Sequence, residues 1–245
     1  MRQTLLIILF LICGICANAQ RTFIVIAGIN DYIEPSVNDL RCCEADADSY
    51  YALMCKKKDA VIHIFKGRNA TKQNILSTLQ SVCRQAGSND AVVFFFSGHG
   101  YPGGFCPVDM RSKATGLSYT EMQTAFKQCK ARRKMVFADA CFSGGLRKDK
   151  SSAVNEARNG DVMFFLSSRT NEMSQEVPGG KNGQFTRFLI RGLGGGADAD
   201  RNRTITAKEL YNFVHQGVAY ATAEKQHPVM WGSFNNTMPI VVWQK

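Results

Sequence analysis

The sequence of 245 residues contains no uninterrupted apolar run of the roughly 20 residues that a membrane-crossing helix requires; its best candidate, opening at Leu5, breaks at Gly14 and Asn18. It contains no internal repeat, no low-complexity tract and no linker-like stretch, so a single domain is the simplest organisation. Charged residues make up only 20% against 45% hydrophobic ones, which excludes disordered, collagen-like and coiled-coil chains and leaves a globular protein able to bury a core. The basic excess is not concentrated. Thirty Lys and Arg face twenty Asp and Glu, a formal +10, yet the longest adjacent basic run is Lys56-Lys57-Lys58, which a solvated helix end explains. Binding of nucleic acid is therefore not expected. Nor is zinc, because beyond the leader described next no two cysteines are spaced Cys-x-x-Cys and no histidine stands near one at ligand spacing.

Residues 1–19 read as a cleavable signal peptide. Met1-Arg2 gives a positive start, Leu5 to Ile12 is continuously apolar, and Ala17-Asn18-Ala19 supplies the small-x-small pattern for cleavage after Ala19. Ile12 and Ile15, before Cys13 and Cys16, do not fit a lipoprotein signal, so no stable membrane anchor is expected. The mature chain, residues 20–245, is then a secreted or periplasmic domain of net charge +9 after loss of Arg2. It keeps seven cysteines: Cys42, Cys43, Cys55, Cys83, Cys106, Cys129 and Cys141. An odd number in an oxidising compartment points to at least one free or intermolecularly paired thiol. Small buried hydrophobes are the other reading for the six besides Cys141.

Short continuous apolar runs at Thr22–Ile29, Ala60–Phe65, Ala91–Phe96, Met135–Ala138 and Val162–Leu166 suit strands buried on both faces of a parallel sheet. Helical stretches over Asn38–Lys58, Thr71–Ala86 and Thr120–Lys130 alternate with them, and Leu40, Cys43 and Ala47 fall on one helix face. This order predicts a doubly wound α/β fold. Ser143–Gly160, polar and holding Arg147, Lys148, Lys150 and Arg158, predicts an exposed loop.

Two predicted strands end in chemistry-bearing residues. One runs through Phe94-Phe95-Phe96-Ser97-Gly98 into His99-Gly100, the other through Val136-Phe137-Ala138 into Asp139-Ala140-Cys141. Ligands of parallel sheets bind beyond the carboxyl ends of strands, so both tips belong to the functional edge. If the strands are neighbours, His99 and Cys141 share a cleft. A thiol is nucleophilic only as thiolate, and His99 can take its proton and return it. The N–H groups of Gly100 and Cys141 could together hold an oxyanion.

With these motifs the chain resembles the caspase-like cysteine peptidases, most closely metacaspases and their bacterial relatives. His99-Gly100 and Asp139-Ala140-Cys141 match the His-Gly and Asp-x-Cys motifs in that order, 42 residues apart. Leu40-Arg41-Cys42-Cys43-Glu44-Ala45-Asp46-Ala47 is similar to the family's Leu-x-x-Cys-x-x-Asp-Ala helix, and Gly183-Gln184-Phe185-Thr186 to its Gly-x-Phe-Thr step. The resemblance implies a three-layer α/β fold with a mainly parallel sheet of about six strands, a His99/Cys141 dyad and a monomer. It also implies protein or peptide substrates with Arg or Lys before the scissile bond, held by positions matching Asp46, Ser97 and Asp139. Maturation by cleavage at Arg147, Lys148, Lys150 or Arg158 would follow from a basic preference acting on the loop that divides caspase-like chains. A catalytically silent module that binds basic peptides or calcium is the alternative.

One further motif stands apart. Asp198, Asp200, Asn202, Thr204 and Glu209 occupy ligand positions of an EF-hand-like loop with Ile205 at its eighth position. Arg203 stands where the turn glycine belongs, and Thr206-x-x-Glu209 also reads as a helix capping box that needs no metal. The chemistry requires no cofactor; Ca2+ is the one candidate ion.

Overall fold

The computed structural model describes residues 20–140, 162–169, 172–175, 179–232 and 234–243. In chain order the first half runs β1 (Thr22–Gly28), α1 (Cys43–Met54), β2 (Ala60–Lys66), α2 (Lys72–Gln85), β3 (Ala91–Ser97), β4 (Gly100–Tyr101), β5 (Gly104–Phe105), β6 (Leu117–Ser118), α3 (Tyr119–Lys127) and β7 (Arg133–Asp139). The second runs β8 (Met163–Leu166), α4 (Gln184–Arg191), β9 (Thr204–Thr206), α5 (Ala207–Ala221), β10 (Val229–Gly232) and β11 (Pro239–Val242). The central sheet has the order β10-β8-β7-β3-β1-β2, parallel throughout except for the antiparallel β10. Two small antiparallel sheets, β4-β5-β6 and β9-β11, lie outside it.

Four of the five continuous apolar runs become inner strands because their alternate residues feed two different cores, whereas the run at Ala60–Phe65 forms the edge strand β2, where Val61 is exposed instead of buried as expected. On β3, Val92, Phe94 and Phe96 pack with Ile75 and Leu79 of α2 and with Met122 and Phe126 of α3. Ala91, Val93 and Phe95 of the same strand face Ala47 and Tyr50 of α1, Phe185 of α4 and Val214 of α5. Helices thus cover both faces of one sheet, and the expected three-layer α/β fold is observed.

The expected first helix begins later than its composition suggests, at Cys43 instead of Asn38. Its opening N–H groups are capped from outside: Asn30 Oδ1, in the loop after β1, accepts from Cys43 N (2.9 Å) and Glu44 N (3.2 Å). Residues 38–42 are thereby left to run over the sheet edge, where Leu40 N donates to the Asn30 carbonyl. Asn30→Ala should cost about 1–2 kcal/mol, as loss of a capping oxygen does. A urea midpoint equal to that of the wild type would contradict this cap.

The six described cysteines are free of disulfides. Five are buried as small hydrophobes, whereas Cys55, at the end of α1, is exposed and departs from that expectation. No helix among the described residues is long and apolar enough to cross a membrane.

Candidate active site

Register places the site. β1, β3 and β7 are neighbours, and their last residues, Gly28, Ser97 and Asp139, stand in one row across the sheet. The chain leaves all three strands at this edge, around a cavity of about 470 Å³ whose wall includes Asp46, Ser97, His99, Asp139, Ser174 and Gly183. The three expected pocket residues and the expected histidine therefore do meet in one cleft, at the carboxyl ends of parallel strands.

The floor of the cavity is acidic and buried. Asp46, on the first turn of α1, is 1% exposed. It reaches the sheet because Gly28 lets the helix settle on β1: a Cβ there would lie 2.5 Å from the Cys43 carbonyl oxygen and 2.7 Å from Ala47 Cβ. Asp46 Oδ1 accepts from Asn182 Nδ2 (2.9 Å) and Gly183 N (3.0 Å), and Oδ2 accepts from Ser97 Oγ (2.8 Å). Asp139 Oδ2 accepts from Thr186 N (3.0 Å) and Thr186 Oγ1 (2.8 Å) at the start of α4, and Oδ1 accepts from Ser174 Oγ. Gly183 is wedged between the two acids, since a Cβ on it would lie 2.5 Å from Asp139 Oδ2.

Burial pushes the Asp46 carboxyl well above the usual carboxylate range. The nearby Asp139 carboxylate raises it further, against the hydrogen bonds from Asn182, Ser97 and Gly183. A cavity that concentrates two buried carboxyl groups is complementary in charge to a cation.

His99 stands at the rim. Its Nε2 lies 2.7 Å from the Asn38 carbonyl oxygen. A carbonyl only accepts, so Nε2 carries a proton, and in the neutral imidazole the lone pair is then on Nδ1. The backbone is fixed too: His99 N donates to Tyr32 Oη (2.8 Å), and the His99 carbonyl accepts from Cys106 N (2.9 Å). That last bond makes Gly100 and Phe105 a pair whose own N–H groups point away from each other, so the Gly100 N–H is not consumed by β5. Such a donor suits an oxyanion.

Cys141 lies outside the described residues, as do Arg147, Lys148, Lys150 and Arg158. The described chain reaches Ala140 in the cavity wall, where Ser167 Oγ holds both its N–H (3.1 Å) and its carbonyl (2.9 Å).

Sequence reasoning missed Asn38, Tyr32, Ser174, Asn182 and Thr186. Thr186 belongs to the Gly183–Thr186 motif that was recognised, although nothing in the motif revealed its bond to Asp139. Asn38 acts through its carbonyl, which no residue type announces.

The EF-hand-like loop contributes no residue to the wall of this cavity, and its expected capping box at Thr206 and Glu209 is present. Arg203 adopts φ 67°, the left-handed conformation that glycine would supply at that position. Carboxylate oxygens of Asp198, Asp200 and Glu209 lie within 4.8 Å of one another. Asn202 N donates to Asp198 Oδ1 (3.0 Å), and Thr204 N donates to Asn202 Oδ1 (2.7 Å). Glu209 also completes the capping box, its Oε2 accepting from Thr206 N (2.9 Å) and Oγ1 (2.7 Å).

Comparison with solved structures returns the same architecture. Caspase-1 from Spodoptera frugiperda superposes with a TM-score of 0.69 at 17% identity, over 92% of this chain and 91% of that one. Protein GSU0716 from Geobacter sulfurreducens superposes with a TM-score of 0.66 at 17% identity, over 91% of this chain and 100% of that one. No curated protein matches the sequence significantly. The family model for the caspase domain matches residues 21–238, which is nearly every element described above. This chain belongs to the caspase domain family of peptidases.

Proposed function

We propose that the protein is an exported, metacaspase-like cysteine endopeptidase that acts as a monomer and cleaves after Arg, less readily after Lys, with Cys141 as nucleophile and His99 as its acid and base. The observation that carries this reading is the pair of buried carboxyl groups, Asp46 and Asp139, flooring the cavity beside His99. The substrate's guanidinium enters that floor, where two acids on different elements favour a planar fork over the point charge of lysine. His99 Nδ1 takes the Cys141 proton while its Nε2–H stays on the Asn38 carbonyl. The thiolate attacks the scissile carbonyl carbon, and the N–H groups of Gly100 and Cys141 take up the oxyanion. As the C–N bond breaks, His99 gives its proton to the leaving amine. Water, deprotonated by His99, then cleaves the thioester and returns the cysteine. A fluorogenic panel differing only in the residue before the bond should be cleaved in the order Arg, then Lys, with Asp uncleaved. Fastest cleavage after Asp, or none after Arg, would overturn the assignment.

A calcium ion is a separate proposal, favoured by the left-handed Arg203 and the clustered acids. Asp198, Asp200, Asn202 and Glu209 would supply side-chain oxygens and Thr204 its carbonyl. Millimolar Ca2+ should raise the melting temperature through linkage, and Asp198→Ala should remove that shift. An unchanged melting temperature in the wild type would leave the loop with its hydrogen bonds and capping box alone.

A further inference from the structure

Gln226 is a polar residue that the chemistry above does not use, yet it is wholly buried, in the connection from α5 to β10. Its side-chain amide is engaged at both ends. Nε2 donates to the Ser167 carbonyl (2.9 Å) and to Ser174 Oγ (3.3 Å), while Oε1 accepts from Gln175 N (2.9 Å). The oxygen faces an N–H and the nitrogen faces a carbonyl, so the amide has one orientation only. Gln226 is itself anchored: its N–H donates to Thr222 Oγ1 (3.1 Å), whose hydroxyl bonds the Val218 carbonyl (2.8 Å) in the last turn of α5. Ala223 and Glu224 take φ 48° and 60°, a left-handed turn just before Gln226.

What Gln226 grips is the segment 172–175, which contributes Met173, Ser174 and Gln175 to the cavity wall. Apolar burial does not hold that segment, since Met173 is 74% exposed. Hydrogen bonds do. His227 N donates to Glu172 Oε2 (2.7 Å), Gln184 N donates to the Gln175 carbonyl (2.8 Å), and Ser174 donates to Asp139 Oδ1. Gln226 sits behind the last of these and supplies the donor that Ser174 Oγ accepts while its own proton is on Asp139. A buried polar relay of this kind fixes geometry that no packing contact would fix.

We propose that Gln226 is a specificity-positioning residue: through Ser174 and Gln175 it holds the Asp139 carboxylate in the orientation that receives a basic side chain, without touching the substrate. The inference rests on the reading of the cavity as a pocket for Arg. Gln226→Met keeps length and shape and loses every polar contact of the side chain. With an arginyl peptide it should raise KM at least about 10-fold and change kcat by less than about 3-fold, with the rate of Cys141 alkylation by iodoacetamide unchanged. Ser174→Ala should reproduce the rise in KM. The double variant should be no worse than the more impaired single, because both act through one relay.

An unchanged KM in Gln226→Met overturns the proposal, as do multiplying effects in the double variant or a loss of alkylation rate that parallels the loss of affinity. Where Gln226→Met does not fold, Ser174→Ala decides: an unchanged KM there breaks the relay and overturns the proposal. Failure of the underlying reading looks different, because the wild type itself would then not cleave after Arg. In that case the inference falls with it.

Discussion

Cys141→Ala is expected to lower hydrolysis of arginyl peptides by at least about 10³-fold, the scale on which deleting a catalytic nucleophile acts. The expectation follows from how the rest of the site is spent. His99 has Nε2 tied to the Asn38 carbonyl and Nδ1 left to exchange a proton, and without a thiol to receive that exchange no acyl-enzyme can form. The Gly100 N–H and the acidic floor remain in the variant, and substrate should still bind. KM should therefore move little while kcat collapses and the acyl-enzyme burst disappears. His99→Ala should also lose turnover but retain slow alkylation of Cys141 at high pH, where the thiolate forms unaided. Steady turnover by a clean Cys141→Ala preparation would contradict the assignment.

Asp46→Asn is expected to lower kcat/KM for arginyl substrates by at least about 30-fold, since removing one member of a buried, hydrogen-bonded charge pair costs about 2–5 kcal/mol. The same substitution should stabilise the protein at neutral pH. Burial, and then Asp139, raise the Asp46 carboxyl in the folded state, so above the ordinary carboxyl pKa of about 4 the native protein holds a proton that the unfolded chain has released. Stability from this group is complete below that value and is lost as pH rises through the raised one. Asn pays no such penalty, and it can still accept from Asn182 and Gly183. The melting temperature of Asp46→Asn should thus exceed that of the wild type near pH 7, with the gap closing toward pH 4. A variant that melts lower at both pH values by the same margin would mean that the carboxylate's hydrogen bonds outweigh its desolvation. Activity traded against stability at one buried acid is the pattern expected of a binding pocket.

The sheet was legible because its central strands are unambiguous. Phe94, Phe95 and Phe96 are apolar toward both faces, and the run is too short for a helix before Gly98 breaks it. β10 was not legible, since four residues, Val229–Gly232, carry no period and their strand character comes from pairing with β8. The start of α1 was hidden for a related reason: its cap, Asn30, lies 13 residues before Cys43. In the site, Asp46, Ser97 and Asp139 came from motif resemblance and do share one cavity. Their supports did not come from any motif. Asn182 reaches Asp46 across 136 residues and Ser174 reaches Asp139 across 35, separations at which a single sequence holds no pairing signal. Gln226 reads in the sequence as one more polar loop residue, and only its complete burial sets it apart.

The most direct test of an Arg-directed cysteine peptidase is competitive labelling of the intact protein. Two peptidyl electrophiles identical except for Arg or Asp at the position nearest the reactive group are offered together at equal concentration, and the adduct is mapped by peptide mass spectrometry. The account predicts that the Arg probe labels Cys141 at least about 100-fold faster than the Asp probe, and that Asp46→Asn erases most of this preference. Preferential labelling by the Asp probe, or an Arg adduct on another cysteine with Cys141 unmodified, would contradict it.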